Sequence, residues 1–67
     1  MKFKVGDLIK LASPITGADF NYLSGILMEY RQYEDMQLFL IKFFNGDVVW
    51  VDSEELDNSY ILLSQAD

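Results

Sequence analysis

The sequence predicts a small all-β domain of five short strands, with one helical turn before the last strand. Three observations predict it. Short runs rich in β-branched and aromatic residues alternate with clusters of turn formers along all 67 residues. Asn45-Gly46 lies between two apolar runs, which is the strongest short-range signal for a β-hairpin. Asp52 is followed by Glu55 in the spacing of a helix N-terminal cap.

Taken in order, Gly6-Asp7 turns the chain into Leu8-Ile9-Lys10-Leu11, the first strand. Ala12 to Asn21 holds Pro14, Gly17, Asp19 and Asn21 and reads as a long loop, a type of segment that often carries function. From Ser24-Gly25 the chain enters a second strand, Ile26 to Tyr33, closed by a polar turn at Glu34-Asp35. Leu38 to Phe44 is the third strand and Val48 to Val51 the fourth. Asp52 to Leu56 fits a single 3₁₀ turn. Asp57-Asn58-Ser59 then leads into the fifth strand, Tyr60 to Leu63.

A two-residue type I′ turn at Asn45-Gly46 would pair Phe44 with Asp47, Phe43 with Val48 and Ile41 with Trp50. One hairpin face then carries Phe39, Ile41, Phe43, Val48 and Trp50, which is the expected core side. The other carries Leu38, Leu40, Lys42, Phe44, Val49 and Val51, and it is more apolar than a solvent-facing surface requires. That excess predicts docking of a protein, or of a second copy, on the outer face.

Composition narrows the function classes. The chain has no cysteine and no histidine, so disulfides, zinc ribbons, imidazole bases and thiolate nucleophiles are all excluded. The serines lack an activating partner, and a binding role without catalysis or cofactor is expected. Eleven acidic against five basic residues give a formal charge of −6, which opposes direct contact with nucleic acid and favours a basic partner. Lys2, Lys4 and Lys10 read as edge-strand lysines that discourage strand pairing. Asp52, Glu54, Glu55 and Asp57 lack the spaced pattern of a calcium loop and read as a solvated helix start. The N-terminal residues meet a charge before any apolar run, and Leu11 to Ala18 is broken by Pro14 and Gly17. A soluble, cytoplasmic setting without membrane contact is the expectation.

The run Ile41-Lys42-Phe43-Phe44-Asn45-Gly46-Asp47-Val48-Val49-Trp50-Val51-Asp52-Ser53-Glu54-Glu55-Leu56 resembles the second half of Tudor domains. Gly6-Asp7 and Tyr22-Leu23-Ser24-Gly25-Ile26 resemble their opening. The resemblance spans roughly residues 4 to 63 and implies an SH3-like (Tudor-type) barrel. It also implies an aromatic cage for methylated lysine or arginine. Only Tyr22 and Phe43 match cage positions, since Thr16 and Val49 stand where further walls would be.

The leading expectation is therefore a protein-interaction module that docks a protein partner or itself. Expected contact residues are Phe20 and Tyr22 in the long loop, with Tyr30, Phe44 and Val49. One alternative is a nucleic-acid-associated regulator that binds a basic DNA-binding protein or mimics phosphate. Another is a Tudor-like reader whose incomplete cage is built on Tyr22 and Phe43. Trp50 is expected in the core.

Overall fold

The computed structural model describes residues 2–12 and 23–66. Strands β1 (Leu8–Leu11), β2 (Ser24–Tyr33), β3 (Met36–Phe43), β4 (Val48–Asp52) and β5 (Tyr60–Ser64) are joined in one antiparallel sheet. Their order is β4-β3-β2-β1-β5, and helix α1 (Ser53–Ser59) connects the two outermost strands. The all-β class, the strand count and the helix before the last strand are as the sequence predicts.

The long strand β2 serves both halves of the sheet. Its first residues pair with β1, Gly25 opposite Ile9, and with β3, Leu27 opposite Ile41. Its later residues pair with β3 alone. Met28 is the extra residue between these halves, because Leu27 faces Ile41 while Glu29 faces Leu40. A bulge of this kind bends the strand and increases its twist, so the two halves of the sheet face each other across a common interior. Phe3, Ile9, Leu27, Phe39, Ile41, Val51 and Leu56 fill that interior, with Phe43, Tyr60 and Leu62 packed against them.

Helix α1 begins as its sequence implies. The Asp52 carboxylate accepts a hydrogen bond from the Glu55 backbone N–H at 2.7 Å. The element is a seven-residue α-helix, longer than the single 3₁₀ turn expected. A helix this short is marginal by itself. Leu56, its one buried residue, anchors it to the core and contributes about 2 kcal/mol by leaving water. Burial, and then the Glu55 carboxylate, push the Tyr60 hydroxyl pKa up.

The β3–β4 connection departs from the expected turn. Phe43 N–H donates to Asp47 O at 2.8 Å, and Gly46 N–H donates to Phe43 O at 3.0 Å. The loop is thus Phe44-Asn45-Gly46, and of these residues only Gly46 has a positive φ, +101°. This is the three-residue hairpin loop that ends on a left-handed glycine, in place of a type I′ pair. The Asn45 side chain braces it by accepting from Asp47 N–H at 3.0 Å.

Adding one residue to the loop moves the register by one. Lys42 pairs with Val48, Ile41 with Val49, Leu40 with Trp50 and Phe39 with Val51. Side chains alternate along a strand, so the shift exchanges the two faces of β4. Val49 and Val51 stand on the core side, and Val51 is only 7% exposed. Val48 and Trp50 stand on the outer side, the reverse of the expected arrangement. Gly46→Val is expected to cost about 2 kcal/mol, because side chains resist positive φ. Thermal melting should register this as a drop of roughly 10 °C. An unchanged melting temperature would mean that the loop does not close through Gly46.

Beside Leu27 of β2, Asp7 acts as a clamp. Its side chain is fully buried. One carboxylate oxygen accepts from Lys4 N–H at 2.9 Å and the other from Ala66 N–H at 2.7 Å. Gly6, at φ +97°, makes the turn that aims it, and a Cβ on Gly6 would lie 2.8 Å from that of Ala66. Gly6 N–H and Asp7 O also bond Leu27, extending β2's partnership beyond the end of β1.

Candidate functional site

The outer face of β2, β3 and β4 carries an aromatic groove. Glu29, Arg31 and Tyr33 alternate along the second half of β2 and share one side of it. Leu40 and Leu38 stand opposite Glu29 and Arg31, and Trp50 stands opposite Leu40 on the next strand. Arg31, Tyr33, Leu38 and Trp50 line an open groove of about 320 Å³.

Electrostatics fix the groove's floor. The Arg31 guanidinium lies over the Trp50 ring, 5.4 Å from its centroid. That contact is attractive because a cation meets the negative face of the indole. Arg31 also donates to the Tyr33 hydroxyl at 3.5 Å and lies 3.9 Å from the Glu29 carboxylate. Tyr33, followed by Glu29, raises the Arg31 pKa above its already high ordinary value. The groove therefore pairs a permanently charged planar group with an indole that remains 40% exposed.

A second, smaller hollow of about 220 Å³ adjoins it, lined by Asp35, Met36, Gln37, Asp52, Ser53 and Glu54. The two meet where Tyr33 pairs with Met36 and Leu38 with Asp52. An aromatic, apolar slot thus runs into an acidic ledge.

Comparison of the chain with protein-family models, with characterised proteins and with solved structures finds no match.

The residues singled out from the sequence are placed differently from one another. Phe20 and Tyr22 lie outside the described residues. Phe44 is an exposed loop residue, no longer part of the outer hairpin face. Tyr30 pairs with Phe39 and packs its ring 5.1 Å away, on the inner side, while keeping one edge in solvent. Val49 pairs with Ile41 on the inner side and is half-exposed near the sheet's edge. Phe43, the proposed cage wall, packs against the core.

Of the expected outer face, Leu38, Leu40 and Lys42 remain, and Val51 has moved into the core. Arg31, Tyr33 and Trp50 are the groove residues that sequence reasoning did not assign to a site. Their signal was present in the Glu29-Arg31-Tyr33 alternation, but Trp50's face depends on the hairpin loop. Among the described residues, no His/Cys/Asp/Glu group is placed to hold a metal ion, and no helix is long and apolar enough to cross a membrane.

Proposed function

We propose that the chain is a non-catalytic protein-interaction module, an SH3-like barrel of Tudor type, that docks an extended segment of a protein partner. The observation that carries this reading is the exposed Trp50 ring beneath Arg31 in a groove that Tyr33 and Leu38 also line. Tryptophan and arginine dominate binding energy at protein interfaces, and an exposed pair of them on a rigid sheet is preorganised for that use. The adjoining ledge of Asp35, Asp52 and Glu54, with the net charge of −6, selects a ligand with an apolar residue close to a lysine or arginine.

A random peptide library displayed against the purified domain tests this reading. Selected sequences should combine an apolar and a basic residue, shift Trp50 fluorescence, and perturb the amides of Arg31, Tyr33, Leu38 and Trp50. Trp50→Ala should weaken their binding by about 2 kcal/mol, roughly 30-fold. Ligands that map elsewhere, or that ignore Trp50→Ala, would remove the groove from the account.

A further inference from the structure

Among the described residues, strand β4 has a neighbour on one side only. The hydrogen bond from Phe43 N–H to Asp47 O fixes which of its backbone groups are used. Hydrogen-bonded and non-hydrogen-bonded pairs alternate along an antiparallel ladder. Ile41–Val49 and Phe39–Val51 are therefore the next bonded pairs, and the N–H and C=O groups of Val48 and Trp50 point away from β3. The side chains along this free edge are uncharged from Val48 to Val51, and Val48 is 60% exposed.

Natural edge strands are usually blunted by lysine, proline or a bulge. The opposite edge strand, β5, has such a device, since the ladder with β1 skips Leu63 between Leu62 and Ser64. β4 pairs with β3 from Val48 to Asp52 without a shift.

We infer that β4 is a homodimer interface, pairing antiparallel with β4 of a second copy about a two-fold axis at Val49. This goes beyond the groove, because it uses backbone groups that the groove leaves unengaged. The free groups specify the register. With Val49 opposite Val49 of the second copy, Val48 and Trp50 become reciprocal bonded pairs, and four hydrogen bonds use all four outward groups of each copy's two residues. The outer face then sets Val48 of each copy beside Trp50 of the other, apolar against apolar. Charge follows the same symmetry. Lys42 stands opposite Val48 at one end of the strand, and Asp52 closes the other. Antiparallel pairing sets Asp47 of each copy opposite Val51 of the other and Asp52 opposite Gly46, so no acidic residue lies directly opposite another. A second copy meets all of these requirements at once, as an isologous interface must.

Sedimentation and cysteine cross-linking test the pairing, and the absence of native cysteine removes any background. The wild type should move from 7.8 kDa toward twice that mass. The range to scan is about 10 μM to about 1 mM, suited to the small area of such an edge. Val49→Cys should form a symmetric disulfide under mild oxidation, because facing residues of a non-hydrogen-bonded pair have Cα atoms about 4.5 Å apart. It should cross-link at least about tenfold faster than Asn58→Cys on the exposed helix, since pairing raises effective concentration. Val48→Pro removes an outward N–H that β3 does not use, and Val48→Lys supplies an edge charge. Whichever of them stays folded by circular dichroism should sediment as a monomer. A wild type that remains monomeric throughout would overturn the inference while leaving the peptide-groove experiment unaffected. A dimer in which Val49→Cys cross-links no faster than Asn58→Cys would overturn it equally, by assigning the dimer to another face.

Discussion

Asp7→Ala is expected to destabilise the domain by about 3 kcal/mol, because two part-buried N–H groups, those of Lys4 and Ala66, lose their acceptor on the fully buried Asp7 together. For a chain of 67 residues, total stability at ~0.05–0.15 kcal/mol per residue is roughly 3–10 kcal/mol. The substitution therefore removes a large fraction of it. Asp7→Asn retains one acceptor but turns an amide donor toward the other N–H, so it should fall between the wild type and Asp7→Ala. Urea unfolding gives the ranking. Amide exchange gives the location, with Lys4 and Ala66 losing protection in both variants before β2 and β3 do. A loss below about 0.5 kcal/mol for Asp7→Ala, the range of an ordinary surface change, would show that the clamp is not formed in solution.

Asp7 also marks one limit of what the sequence discloses. Gly6-Asp7 reads correctly as a turn before a strand, since glycine supplies the positive φ. The partner of its carboxylate at Ala66, 59 residues away, leaves no local trace. Local chemistry is legible elsewhere for the same reason that this contact is not. The Asp52–Glu55 cap and the Glu34-Asp35 turn are made by neighbours in the chain, and both form where expected. The hairpin at Asn45-Gly46 is legible as a hairpin but not in its geometry. A two-residue type I′ turn and a three-residue loop ending in glycine can both place Asn-Gly at that point. Hydrophobic pattern usually decides such a case by showing which face is polar. Val48, Val49, Trp50 and Val51 are all apolar, so β4 offers no polar face to decide it. The groove inherits that ambiguity through Trp50, whereas Arg31 and Tyr33, on a strand with clear alternation, do not.

A pair of substitutions settles the register by reversing the usual expectation for two valines three residues apart. Val51→Asp is expected to unfold the domain or cost more than about 3 kcal/mol. It places a carboxylate against Phe39 in the core with no partner to replace its lost hydration. Val48→Asp should change stability by less than about 1 kcal/mol. Its position is well exposed, and the new carboxylate faces Lys42, a cross-strand pairing that offsets part of aspartate's poor strand propensity. Both should be measured by urea unfolding in dilute solution, where association at the β4 edge does not contribute. A two-residue turn at Asn45-Gly46 would give the opposite result, since Val48 would then oppose Phe43 on the core side and Val51 would face solvent. Should Val51→Asp be tolerated and Val48→Asp unfold the chain, Trp50 would return to the interior. The aromatic groove would then be withdrawn, because it depends on Trp50 standing on the outer face of β4, whereas the backbone groups of Val48 and Trp50 point to the free edge in either register.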